Sequence, residues 1–279
     1  DLEPPAPPAT PALDEEDDYP EPVIVESDEF QPENIEFAAQ SVILDLGEYE
    51  VRTGEEFDLY VSLSAPALAS LFLVLEFDAE GTLVNSWGGP GPGYDWPVSN
   101  HGIVVDHMDN IWIGGNGQND SHVLKFTRDG TFLMQIGRSG ARATGMDGGR
   151  TLYSGNSHDT ESFGRVAKIS FEPNANEMFF ADGYLNKRVA VIDATTGEFK
   201  RYWGAYGEAP DDEADLGRYS PDAPPARQFR GPVHCAEPSN DGLLYVCDRA
   251  SDRIQVFQLD GTYVSESFIA PATLSQGST

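Results

Sequence analysis

Positive charge is scarce in this chain: 17 Lys and Arg stand against 47 Asp and Glu, a formal charge of −30. A surface this acidic repels phosphates and anionic lipid headgroups, which excludes nucleic acid as a partner. Cysteine is scarcer still. Cys235 and Cys247 are the only two, so no paired C-x-x-C zinc motif can exist. No apolar run reaches 18 residues, so no helical membrane span is expected. The nucleophile elbow G-x-S-x-G, the phosphate loop and the dinucleotide fingerprint are all missing. Helical periodicity is essentially absent as well.

What is abundant is turn chemistry: 28 Gly and 20 Pro among 279 residues, with 39% hydrophobic content, fit many short strands joined by tight turns. The charge is uneven. Residues 1–51 carry 16 acids and no base, leaving a net −14 on the rest. Residues 1–36, with the run Asp14, Glu15, Glu16, Asp17 and Asp18 and repeated prolines, are too poor in apolar side chains to build a core. They are expected to form a disordered or extended acidic arm, with Val23, Ile24 and Val25 as a short patch that could add as a strand to a partner. Residues 37–279 form the folded domain.

Repetition dominates that domain. Residues 101–137, 167–204 and 233–268 overlay as strand, polar turn, strand ending near Asp or Gly, polar loop, apolar strand, D-G or T-G turn, and final strand. A weaker copy lies at 41–88, closing in Asn85-Ser86-Trp87-Gly88. Alternation such as Ile111 and Ile113 is the period-two pattern of half-buried strands. Four antiparallel strands every 40 residues or so predict an all-β propeller, with blades at about 41–89, 97–137, 165–204 and 232–268. The Gly-, Asp- and Pro-rich linkers at about 138–164 and 205–231 are expected as surface insertions above the blades, where binding loops collect.

The segment Gly102-Ile-Val-Val-Asp-His-Met-Asp-Asn-Ile-Trp-Ile-Gly-Gly-Asn-Gly117 resembles NHL repeats. Four further features, in order, resemble bacterial NHL propellers of the peptidyl-α-hydroxyglycine amidating lyase type. They are His101-Gly102-Ile103, Asp182-Gly183-Tyr184-Leu185-Asn186-Lys187-Arg188, Pro232-Val233-His234, and Asp248-Arg249 running to Arg253-Ile254-Gln255. The likeness covers about residues 70–268. It implies a propeller, six-bladed in the family, whose central channel holds zinc on three histidines. His101 and His234 match two of those ligands, Tyr184 matches the base and Arg249 the charge stabiliser. The implied chemistry is cleavage of a carbinolamide to a peptide amide and glyoxylate. No third zinc-binding histidine is matched.

Two functions of different kind follow. One is an extracytoplasmic module that binds a protein partner or assembly neighbour through its acidic arm and propeller face. The other is the zinc-dependent lyase. Starting at Asp1 with an acidic Pro-rich stretch, the chain is expected to be an exported protein, secreted, periplasmic or at the cell surface. Cys235 and Cys247 flank the turn at 238–242 and are either a cross-strand disulfide or two buried thiols. Oxygen-rich turns at 116–120 and 211–215 suit calcium, or are plain solvated loops. His107 and His122 are expected to face solvent, His158 lies in an insertion, and Trp87 and Trp203 are expected as repeat packing positions.

Overall fold

The computed structural model describes residues 83–274 and, ahead of them, the backbone of five short strands. The chain divides into two compact units, Asp1–Ala69 and Ser70–Thr279. In the first unit β1 (Ile35–Phe37) pairs with β2 (Gln40–Val42), and β3 (Leu44–Asp45) with β4 (Ser62–Leu63). The acidic arm expected over 1–36, save its last two residues, lies outside the described residues. So does much of the blade expected at 41–89.

The second unit is all β. A hairpin of β5 (Val74–Phe77) and β6 (Leu83–Trp87) precedes three four-stranded antiparallel sheets. The first sheet is β7 (Asn100–Val105), β8 (Ile111–Gly115), β9 (His122–Phe126) and β10 (Phe132–Gly137). The second is β13 (Val166–Glu172), β14 (Glu177–Asp182), β15 (Arg188–Asp193) and β16 (Phe199–Trp203). The third is β17 (Val233–Pro238), β18 (Leu243–Asp248), β19 (Arg253–Gln258) and β20 (Tyr263–Phe268). In each sheet the strands pair in sequence order, and the first strands β7, β13 and β17 of neighbouring sheets lie side by side. Up-and-down sheets with their first strands gathered at the centre are the blades of a propeller.

Neighbouring blades bury their faces against each other. Phe179, Ala181, Val189 and Val191 of the second blade pack on Val233, Leu244, Val246 and Phe257 of the third, all at 2% exposure or less. On its other side the second blade places Met178, Phe180 and Ile192 against Trp112 and Val123 of the first. At the outer edge the contact repeats in kind. A Cβ on Gly130, in a turn of the first blade, would meet the Trp87 ring at 2.7 Å. One on Gly261 of the third would meet Trp203 at 2.8 Å. Both glycines have positive φ, so the D-G turn supplies the backbone conformation and the room for a ring. Trp87 and Trp203 are thus packing residues. Cys235 and Cys247 are directly opposed on β17 and β18 and form a disulfide.

The insertion at 138–164 holds a largely exposed hairpin, β11 (Ala143–Asp147) and β12 (Arg150–Tyr153), which its Gly-rich, non-alternating sequence does not announce. One expectation needs correction: His122 is buried, not solvent-facing, with Nε2 2.5 Å from the Asp95 carbonyl oxygen. The reason lies in the repeat. His122 opens the third strand of its blade, where the other blades carry the fully buried Arg188 and Arg253. Among the described residues no helix is long and apolar enough to cross a membrane.

Candidate functional site at the channel mouth

The site is built on a local irregularity shared by the three central strands. In β13 the register skips Ala167, in β17 it skips His234, and in β7 one extra residue falls between Asn100 and Ile103. These are β-bulges, which re-aim a side chain out of the regular pleat. His101 and His234 occupy this position in the first and third blades. The second blade has only Ala167 there.

The space beside Ala167 is filled by Tyr184, from the loop after β14. That loop is set by buried polar contacts. Asp182 accepts hydrogen bonds from the Gly164 N–H (2.6 Å), the Asn186 side-chain amide (2.7 Å) and Arg188 Nε (2.8 Å). Asp182 and Arg188 are both fully buried. A Cβ on Gly183 would meet the Val233 nitrogen and oxygen at 2.2 Å, so only glycine lets this loop press against the third blade. The D-G-Y-x-N-x-R pattern therefore reads as acceptor, close approach, site residue, amide brace and buried cation. In the third blade Asp248 plays the same part, accepting from the Arg230 and Gly231 N–H groups and from Arg253 Nε at 3.0 Å.

The result is a compact cluster. Tyr184 Oη lies 3.1 Å from His101 Nε2 and 3.2 Å from His234 Nε2. The two imidazole centroids are 5.7 Å apart. His101 Nδ1 is 2.5 Å from the Ala167 carbonyl oxygen, an acceptor only. That contact calls for a proton on Nδ1, so the neutral ring presents its Nε2 lone pair to Tyr184. His234 is held below the usual imidazole range by burial first, then by the charges of Arg249, His101 and Lys168. Arg249 opens the short 3-10 turn Arg249–Ser251, its N–H donating to the Pro232 carbonyl at 3.2 Å. Lys168, one residue beyond the bulge, pairs with Glu237 at 2.7 Å.

Three of the four side chains singled out in the sequence, His101, Tyr184 and His234, thus lie together, half-buried, at the end of the blades where the first strands begin, and half-buried Arg249 acts on His234 through its charge. Both long insertions, 138–165 and 204–232, join blades at that same end. Lys168 and Glu237 were not singled out, because an ion pair between two blades leaves no local pattern. His107 stacks on Phe171, and His158 Nδ1 is 3.0 Å from Tyr202 Oη, both away from the cluster.

As a zinc site the cluster offers two imidazole Nε2 donors, one of them fixed in the ligating tautomer. A catalytic zinc normally takes three protein ligands. Among the described residues no group of three His, Cys, Asp or Glu side chains is placed to hold a metal. The turns considered for calcium use their carboxylates locally. Asp120 accepts from the N–H groups of Val98, Ser99 and Gly117. Asp211 and Asp215 accept from Glu213 and Gly217.

No family model matches the chain. It is 29% identical over 166 residues to peptidyl-glycine alpha-amidating monooxygenase B of Xenopus laevis, covering 56% of this chain and 17% of that protein. With monooxygenase A of the same organism it shares 25% identity over 167 residues, 60% of this chain and 15% of that one. The chain therefore spans only a small part of the length of the curated relatives it matches. Among solved structures it overlaps a streptogramin B lyase with a TM-score of 0.40 at 15% identity, covering 76% of this chain and 59% of that one. A Bacteroides caccae protein of unknown function overlaps with a TM-score of 0.43 at 14% identity, covering 70% and 58%. Overlaps at this level carry no argument about function.

Proposed function

We propose that the channel-mouth cluster is a lyase site that cleaves a carbinolamide, N–CH(OH), of the kind found in a peptidyl α-hydroxyglycine. The observation that supports it is Tyr184 Oη held between two imidazole Nε2 atoms. Tyr184 takes the proton of the substrate hydroxyl while passing its own to His101 Nε2. The C–O bond becomes a carbonyl, the C–N bond breaks, and the departing amide nitrogen receives the proton back through the same relay. One peptide amide and one glyoxylate leave, with no net proton consumed. Arg249 stabilises negative charge on the oxygen as it develops. Zinc, where bound, would take the Nε2 lone pairs of His101 and His234 in place of that relay and would polarise the hydroxyl, with Tyr184 still facing the substrate proton. The disulfide supports placing this activity outside the reducing cytosol. The test is glyoxylate release from a hydroxyglycine peptide, with and without added zinc.

A second reading, a protein-interaction or assembly module, is favoured by one surface. Tyr245, Cys247, Ile254 and Val256 of the third blade are half-exposed, whereas their counterparts Phe179, Ala181, Val189 and Val191 in the second are fully buried. If this face takes a partner blade, Ile254→Asp abolishes an association that sedimentation detects in the unchanged chain. Sedimentation as a monomer at all concentrations counts against it.

A further inference from the structure

We propose that a cavity between the 216–230 loop and the outer half of the third blade binds a small aromatic carboxylate. The cavity measures about 310 Å³. At ~30 Å³ per water that is the room of about ten waters, enough for a phenyl ring and a short acid chain. Its walls are apolar and ring-rich, among them Tyr219, Pro221, Pro225 and Phe268. Few pockets of this kind need more than one or two placed polar groups to fix a ligand.

Arg230 supplies that group. Its Nη1 donates to the Gly217 carbonyl at 2.6 Å and its Nη2 to the Leu216 carbonyl at 2.8 Å. The guanidinium also faces the Tyr219 ring at 5.9 Å. All these partners are neutral. Among the described residues no carboxylate forms an ion pair with Arg230, although acids outnumber bases 47 to 17 in the chain. The contrast with Arg253, which lines the same cavity, is direct. Arg253 is neutralised by Asp248 at 3.0 Å and Glu266 at 3.3 Å. A cation held only by neutral carbonyls, lining a cavity with aromatic walls, is matched by a carboxylate on a ring. The cavity belongs to the third and fourth strands of its blade, away from His101, Tyr184 and His234, and does not depend on the lyase reading.

The test is calorimetric titration with 3-phenylpropionate, its uncharged amide 3-phenylpropanamide serving as control. One saturable site is expected, with the amide at least tenfold weaker. Arg230→Gln should weaken the acid tenfold or more, while Tyr184→Phe leaves it within twofold. Equal binding of acid and amide, no saturable binding, or an Arg230→Gln variant within twofold of the parent would overturn the proposal. So would loss of binding in Tyr184→Phe. Should Arg230→Gln fail to fold by circular dichroism, Phe268→Ser decides instead, since Phe268 is 43% exposed. A fivefold or greater loss supports the site, and unchanged affinity rejects it.

Discussion

The carbonyl oxygen of Ala167 sits 2.5 Å from Nδ1 of His101, and that contact decides which ring nitrogen the site receives. It comes from a blade that has no histidine of its own at the bulge. The second blade thus contributes a small side chain, a carbonyl that orients a neighbour's imidazole, and a tyrosine that fills the space.

His234 should titrate below the ordinary imidazole value of about 6.5, which an NMR pH titration of its ring protons can read. Burial is the first cause and Arg249 the second, so Arg249→Gln should raise the midpoint without restoring it fully. The sign for stability follows. With the folded value depressed, the contribution is present above the unfolded pKa and is lost as pH falls through the folded one. A midpoint at or above 6.5 contradicts the described surroundings.

Asp106 shows the opposite balance of forces. Burial alone would raise its pKa, but hydrogen bonds from the Trp112 indole, the Asn110 backbone and side chain, and the Met108 N–H bring it down to about 2. Its stabilising contribution is therefore present above the unfolded value near 3.9 and is lost as pH falls toward 2. Asp106→Asn should flatten the acid limb of the unfolding curve. A parallel, merely shifted limb would count against this.

The fully buried pair Asp182 and Arg188 carries the Tyr184 loop. Asp182→Ala leaves a buried guanidinium unpaired and should cost roughly 3–5 kcal/mol. For a domain of this size that lowers the melting temperature by roughly 6–20 °C. Asp182→Leu combined with Arg188→Met should recover part of the loss, as replacing both charges removes the unpaired one. No recovery would mean that the pair matters for loop shape more than for charge.

The disulfide joins two adjacent strands across a single turn, with a sequence separation of 12. A Cys235→Ser, Cys247→Ser variant should lose roughly 2–4 kcal/mol in denaturant unfolding. An unchanged midpoint would show that pairing of β17 and β18 alone fixes this hairpin.

The sequence made the three complete blades legible because each repeats an alternating strand, an Asp or Gly corner and a D-G or T-G turn. The same repetition brought out His101 and His234, since both open a first strand. His122 carries no local mark of burial. Laid against Arg188 and Arg253, its position at the start of a third strand marks it as interior. The hairpin of Ala143–Tyr153 and the Arg230 cavity were not legible. Both lie in insertions whose conformation comes from long-range contacts, such as Tyr153 Oη to Asn119 at 2.6 Å, and not from local period.

The most direct test of the central claim is glyoxylate release from a peptidyl α-hydroxyglycine, comparing the unchanged chain with Tyr184→Phe. The phenol is part-exposed and its loss should leave folding intact, so a fall of about 10²–10⁴-fold in rate is predicted, with amide and glyoxylate formed in equal amounts by the parent. A folded parent that releases no glyoxylate above the uncatalysed rate, with or without added zinc, would contradict the account, as would a Tyr184→Phe variant of undiminished rate.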